Sequence, residues 1–83
     1  MKCIGVGVLE SDVDVECVGE HVIVADCYND RVCVFSLSSG ELVRTFGSEG
    51  TADGQFNYPN ALAVVNSRLY VLDERNPRVQ VFE

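Results

Sequence analysis

Three acidic side chains near the start of the chain alternate with apolar residues, a pattern that could hold a cation. Asp12, Asp14 and Glu16 are separated by Val13 and Val15, so in a β-strand the three carboxylates share one face. Carboxylates gathered in this way are oxygen ligands of the kind that Ca²⁺ prefers. The same pattern suits a solvated strand at a sheet edge, where charged side chains discourage edge-to-edge pairing. We interpret the acids as a solvated edge and keep a metal site as the alternative.

The side chains that carry acid–base or nucleophilic catalysis are few. His21 is the single histidine of the chain and stands at the entrance of an apolar run, where a histidine is usually an ordinary surface residue. Spacing gives no argument for a Ser-His-Asp or Cys-His arrangement. The sequence therefore predicts no enzyme, no catalytic residue and no cofactor.

The four cysteines, at positions 3, 17, 27 and 33, form no CxxC pair. A zinc site requires ligands paired at short spacing, and this chain has none. Cys17, Cys27 and Cys33 lie in or beside strand-like runs, where a free cysteine packs as a small buried hydrophobe. We expect reduced structural thiols, with metal binding or a disulfide as the alternatives.

A glycine-containing stretch in the middle of the chain could be taken for a phosphate-binding loop. Gly47, Gly50 and Gly54 occur within eight positions. However, no helix start follows them, no lysine ends the stretch, and Pro59 fixes a turn into the next apolar run. We therefore interpret it as a connector between two structural units.

Charge and length narrow the class of protein. The chain has 83 residues with thirteen acidic and six basic side chains, a formal net charge of −7, which disfavours nucleic acid and favours basic or neutral partners.

No apolar run approaches the ~20 residues of a membrane span. The apolar start ends after seven residues without a cleavage site, so it is not expected to be a signal peptide. The expected location is cytoplasmic.

A repeat organises the chain. Residues 21–36 align with residues 68–83 at an offset of 47, and seven of these sixteen positions are identical. The identical pairs are Val24/Val71, Asp26/Asp73, Asn29/Asn76, Arg31/Arg78, Val32/Val79, Val34/Val81 and Phe35/Phe82. A repeat of 20–50 residues indicates a solenoid, a propeller or an array.

Each repeat is composed of short strands joined by turns. Apolar and β-branched runs bounded by turn residues predict strands. The predicted strands are residues 13–18, 22–25, 31–35 and 42–46 in the first copy, and 61–65 with two further strands in the second. Each unit is therefore predicted to be an antiparallel meander, with four strands in the first copy and three in the second.

These residues resemble the NHL repeat. The pattern Val-x-Asp-x-x-Asn-x-Arg-Val-x-Val-Phe occurs at residues 24–35 and again at 71–82, and residues 46–59 resemble the sequence between its repeats. The resemblance implies an all-β fold, in which antiparallel four-stranded blades form a β-propeller, usually with six blades. We expect residues 1–9 to form a closing strand, residues 10–47 the first blade and residues 55–83 the second.

Two blades cannot close a ring, because the smallest propellers need about four. Three interpretations remain open at this point: a fragment of a longer protein, an open two-blade remnant, or a homotrimer that completes a six-bladed ring.

The repeated polar residues are predicted to build the blade. Asp26, Asn29 and Arg31, with Asp73, Asn76 and Arg78 in the second copy, stand at the same turns. An Asp and an Arg five residues apart can meet across a hairpin, and Asn suits the left-handed position of the turn. The candidate partner-binding residues are in the loops: Tyr28, Glu49, Asp53, Gln55, Tyr58 and Arg75.

A repeat rich in packing residues, the lack of a catalytic constellation and the acidic net charge predict a non-catalytic interaction module, a piece of a propeller scaffold that binds a protein partner through its loop faces. Some NHL propellers bind single-stranded RNA on a basic face, so RNA is an alternative that the net charge disfavours. Part of a metal-dependent six-bladed lyase or hydrolase is a further alternative, for which Asp12, Asp14 and Glu16 are the weak metal candidates.

Overall fold

Runs of β-branched and aromatic residues, each closed by a turn, form the strands of the part of the chain that the structure describes. A computed structural model describes residues 14–82. The strands are β1 (Asp14–Val18), β2 (His21–Asp26), β3 (Arg31–Ser36), β4 (Leu42–Phe46), β5 (Pro59–Val65), β6 (Arg68–Asp73) and β7 (Arg78–Phe82). The only helical element in this range is a 3-10 turn at Cys27–Asn29. The predicted closing strand, residues 1–9, and Asp12 lie outside the described residues.

The strands form two antiparallel sheets, as the sequence predicts. The first sheet has the order β1-β2-β3-β4 and the second has the order β5-β6-β7. Their registers match at the offset of the repeat, because Asp14 pairs with Ala25 and Ala61 pairs with Leu72. The prediction of an all-β fold with four strands and then three is confirmed.

Side chains alternate between the two faces of each sheet. One buried cluster lies where the sheets face each other, and a second, formed by Val22, Val24, Cys33 and Phe35, lies on the opposite face of the first sheet. We call the side of the first sheet that carries Ala25 and Val32 its rear face. The side of the second sheet that carries Leu62 and Val71 is its front face. These four residues and Phe56 form one buried cluster, so each sheet covers an apolar face of the other.

Phe56 joins the linker to this core. Its ring is fully buried, with its centroid 5.9 Å from that of Phe82 and 6.4 Å from that of Phe46. Its backbone amide donates to the Ser48 carbonyl at 2.8 Å, and its carbonyl accepts from the Gly50 amide at 3.1 Å. The connector is therefore an ordered loop that places an aromatic ring between the two sheets.

The chain also forms an open groove of about 390 Å³ at the boundary between the sheets. Its walls include Val43, Arg44 and Phe46 from the first sheet, and Leu69 and Phe82 from the second. His21 lies exposed at this groove. No helix among residues 14–82 is long and apolar enough to cross a membrane.

Candidate functional site

The turn between β2 and β3 is organised around a fully buried carboxylate, that of Asp26. The Asp26 Oδ2 atom accepts hydrogen bonds from Asn29 Nδ2 at 2.9 Å and from Arg31 Nε at 2.8 Å. Charge-assisted bonds of this kind are about twice as strong as bonds between neutral groups. The turn is therefore fixed by its own side chains.

The residue that adopts the left-handed backbone conformation in this turn is not the one that the sequence predicts. Asp30, and not Asn29, has the positive φ, at 52°. In the second copy Asn76 is likewise outside the left-handed region, and its side chain donates to Asp73 Oδ2 at 3.0 Å. Both asparagines therefore hold a carboxylate, and neither supplies the turn conformation for which it was predicted.

Asp73 is the equivalent carboxylate of the second sheet, and it is also fully buried. It accepts bonds from the Asn57 amide at 2.6 Å, from Asn76 Nδ2, and from Arg78 Nε at 3.0 Å. Burial opposes ionisation of Asp73, but these bonds and the Arg78 charge outweigh it and lower the pKa of the carboxyl. The group is therefore held as a carboxylate.

Arg78 also binds the connector. Its Nη1 donates to the Thr51 carbonyl at 2.9 Å, and its Nη2 donates to the carbonyls of Ala52 and Gln55, each at 2.9 Å. Gln80 adds a bond from its Nε2 to the Gln55 carbonyl at 2.7 Å. One arginine thus ties the turn of the second sheet to the loop that enters it.

Two tyrosine side chains of the loops, one exposed and one half-buried, meet at one place. The rings of Tyr28 and Tyr58 lie edge to face with centroids 5.4 Å apart, and the Arg75 guanidinium lies 4.5 Å from the Tyr58 centroid. Tyr28 is 53% exposed. We call these three residues the tyrosine surface. It combines the β2–β3 turn, the connector and the β6–β7 turn.

The backbone of Tyr58 is fixed by groups from both sheets. Its φ is 64°, and its amide donates to Asp30 Oδ1 at 2.8 Å. Its carbonyl accepts from the Glu74 amide at 3.3 Å, and the Arg75 amide donates to the Asn57 carbonyl at 3.0 Å. Hydrogen bonding to the side chains of Tyr28 and then Cys27 raises the pKa of the Tyr58 phenol above its usual value.

The other candidate partner-binding residues lie elsewhere in the connector. Glu49 and Asp53 are exposed. Gln55 is half-buried, and its Oε1 accepts from the Ala52 amide at 3.2 Å. The structure thus joins Tyr28, Tyr58 and Arg75 and leaves the other three outside that contact. The sequence predicts these three residues as separate loop candidates, and nothing in their spacing indicates that they touch.

The acidic strand has a contact that the sequence did not reveal. Asp14 is half-buried, and its Oδ2 accepts a hydrogen bond from the backbone amide of Leu62 in the second sheet at 2.7 Å. Asp14 is therefore a contact between the sheets, which differs from the solvated edge expected of it. Among residues 14–82 no three His, Cys, Asp or Glu side chains gather as metal ligands.

The cysteines of the described range lie in two different environments. Cys27 and Cys33 are buried, as expected of structural thiols, and burial raises the pKa of Cys33. Cys17 is exposed, so the expectation that it packs as a buried hydrophobe is wrong. Its strand, β1, lies at the edge of the first sheet as described, where a side chain has a neighbouring strand on one side only.

Known proteins share these repeats. Residues 56–82 match the family described as the NHL repeat. The chain is 34% identical over 71 residues to NHL repeat-containing protein 2 of Gallus gallus, covering 77% of this chain and 10% of that protein. It is 41% identical over 61 residues to Protein brain tumor of Drosophila melanogaster, covering 72% and 6%. The chain thus spans a tenth or less of the curated relatives it matches. With its two blade-like sheets and their repeated Asp–Asn–Arg networks, the chain belongs to the NHL-repeat family.

Proposed function

We propose that the chain is a non-catalytic interaction module that binds a protein partner through the tyrosine surface. The observation that carries this proposal is the contact of Tyr28, Tyr58 and Arg75, which come from three separate connections. Tyrosine and arginine are among the side chains most enriched at the energetic centres of protein interfaces. Each tyrosine offers a large apolar ring and a polar hydroxyl.

The backbone around these side chains is held before any partner arrives. Asp30 binds the Tyr58 amide, and Asp73 binds the amide of Asn57 beside it. The tyrosine surface is therefore built on turns that are anchored to two carboxylates. Such preorganisation reduces the entropy that binding must overcome, which supports a recognition role for this surface.

Charge favours a partner of a particular kind. The chain has a net charge of −7, and the exposed Glu74 lies next to Arg75 with its Oε1 accepting from Asn60 Nδ2 at 2.7 Å. An acidic protein attracts basic or neutral segments and repels acidic ones. We therefore expect a peptide segment with basic and apolar residues.

Single-stranded RNA is the second candidate partner, because nucleic-acid bases also stack on tyrosine rings and arginine side chains. The negative net charge works against that candidate, since phosphate binding needs an excess of Lys and Arg. We assign no catalytic step to the chain.

The test is a selection from a phage library of random dodecapeptides on the immobilised chain, followed by titration of the selected peptides. Arg75→Ala and Tyr28→Ser are expected to weaken binding at least about tenfold, as for central interface residues. Arg44→Ala is the matched control, because Arg44 also stacks on a ring, that of Phe46, at 5.5 Å. Peptides that bind all variants equally, or retention of labelled oligouridine in place of any peptide, would overturn the proposal.

A further inference from the structure

Asn60 is an extra residue in the strand pairing of the second sheet. Pro59 pairs with Asp73, and the next pair along the strand is Ala61 with Leu72. No residue of β6 therefore lies opposite Asn60, which is the bulged residue of a β-bulge. Bulges often lie beside functional sites, where they redirect a side chain.

The side-chain amide of Asn60 has one end bound and one end without a partner. Its Nδ2 donates to Oε1 of Glu74, in the β6–β7 turn, at 2.7 Å. Among residues 14–82, its Oδ1 is the single buried side-chain nitrogen or oxygen atom without a hydrogen-bond partner. A buried acceptor that loses water and gains no donor is unfavourable. The Asn60 oxygen therefore lacks a donor in the free chain.

The repeat itself does not require the pair of Asn60 and Glu74. At the offset of 47, the first copy has Val13 at the position of Asn60 and Cys27 at the position of Glu74. Cys27 is buried, whereas Glu74 is exposed. Both copies nevertheless form the same Asp–Asn–Arg network in this turn. The polar pair is thus an addition to the second copy that the turn does not need.

The pair adjoins the tyrosine surface. Asn60 follows Tyr58 by two positions, and Glu74 directly precedes Arg75. The Glu74 amide donates to the Tyr58 carbonyl at 3.3 Å, which ties the two segments together. A peptide on the tyrosine surface therefore lies beside an exposed carboxylate and an amide with an unpaired oxygen. Both groups accept hydrogen bonds, and the carboxylate favours a positively charged donor.

We infer that Asn60 and Glu74 form a subsite for one basic side chain of the peptide that binds the tyrosine surface, with arginine preferred over lysine. This inference rests on the proposed function and names the residues that select the basic side chain. A guanidinium has five N–H donors in a planar fork, so it can bind the Glu74 carboxylate and also donate to Asn60. The Asn60 amide turns outward as the side chain binds, and its oxygen gains the donor that it lacks in the free chain.

The first experiment reverses the charge of the subsite and examines which peptides bind. Random dodecapeptides displayed on phage are selected on the wild-type chain and on Glu74→Lys under the same conditions. We expect arginine to be enriched on the wild type, and aspartate or glutamate to replace it on Glu74→Lys. Glu49→Lys is the matched control, because Glu49 is also exposed and the variant changes the net charge equally. Arginine enrichment that persists on Glu74→Lys, or an equal change on Glu49→Lys, would overturn the inference.

A titration with one selected peptide tests each residue of the subsite. Glu74→Gln and Asn60→Ala should each weaken binding of the arginine peptide at least about threefold. The same peptide with citrulline in place of arginine is the control, because citrulline keeps the shape of the side chain and lacks its charge. Equal losses with both peptides would contradict the subsite. In that case, continued dependence on Tyr28 and Arg75 would leave the proposed function standing.

An NMR titration tests the subsite without any peptide. Nα-acetyl-arginine N-methylamide is added to the isotope-labelled chain, and the citrulline analogue is added in a parallel experiment. We expect the arginine compound alone to shift the side-chain amide signal of Asn60, and Glu74→Gln to abolish that shift. No shift, or the same shift with citrulline, would refute the subsite even where peptides bind the tyrosine surface. A shift at Asn60 together with a failed peptide selection would instead refute the proposed function and support the subsite.

Discussion

The Asp14 carboxylate accepts the backbone amide of Leu62 at 2.7 Å across the boundary between the two sheets. β5 is an edge strand of its sheet, so this side chain satisfies an amide at that edge by a bond to the first sheet. The alternation of acidic residues and valines suggests a solvated strand or a cation site. In the structure, Asp14 of this run instead forms part of the contact between the two sheets.

Replacing Asp14 should therefore weaken the joint. Asp14→Ala removes the acceptor of a partly buried amide, which typically costs about 1–3 kcal/mol of unfolding free energy. Asp14→Asn keeps a neutral acceptor and should cost about half as much. Urea unfolding measures both, and Glu16→Ala, on the same face of β1, is the control. An Asp14→Ala variant as stable as Glu16→Ala would show that the contact contributes nothing.

The connector should depend on the planar guanidinium of Arg78. Arg78 donates hydrogen bonds to Asp73 and to three carbonyls of the connector. The single ammonium group of lysine cannot make all of these hydrogen bonds. Arg78→Lys should lower the unfolding free energy by about 1.5–3 kcal/mol and speed amide exchange at Gln55 and Phe56. Arg44→Lys, on an exposed strand, should stay within about 0.5 kcal/mol. Unchanged exchange in the connector would contradict this role of Arg78.

Asp73 should make the fold sensitive to acid. Because its folded-state pKa lies below the ordinary 3.8, the unfolded chain binds this proton more tightly than the folded protein does. Its stabilising contribution is present above pH 3.8 and is lost as the pH falls through the lowered pKa. Asp73→Asn should therefore be less stable at neutral pH and lose less stability on acidification. Urea titrations from about pH 6 to about pH 2 compare the slopes, and parallel slopes would contradict the assignment.

The repeat at offset 47 predicts most of the fold, because periodic apolar runs and turn residues are local signals. It indicates four strands and then three, and the two sheets share that register. The predicted strand at residues 61–65 begins earlier in the structure, at Pro59. Proline has no backbone N–H to donate to a neighbouring strand. Pro59 is tolerated there because β5 is an edge strand, so no hydrogen bond between strands is lost.

The contacts of the site were beyond sequence reasoning because they depend on how the two units face each other. The bond from Leu62 to Asp14 and the contact of Tyr28 with Tyr58 both join groups from different units. Residue propensity predicts Asn29 at the left-handed position of the turn. Asp30 takes that position, because Asn29 is bound to the buried Asp26.

Gly47 is the position where the connector should tolerate no side chain. Its φ is 104°, and a Cβ there would lie 2.6 Å from atoms of the Phe56 ring and 3.1 Å from the Asp30 carbonyl oxygen. That ring is fully buried between the sheets and cannot move without disturbing the core, so backbone strain and overpacking add together. Gly47→Ala should cost about 2–4 kcal/mol of unfolding free energy.

Gly19→Ala is the matched control, because Gly19 also has a positive φ, of 56°, but nothing lies within 4 Å of its Cβ position. That variant should cost about 1 kcal/mol, and equal losses in the two variants would show that the Phe56 ring does not determine the need for glycine at position 47.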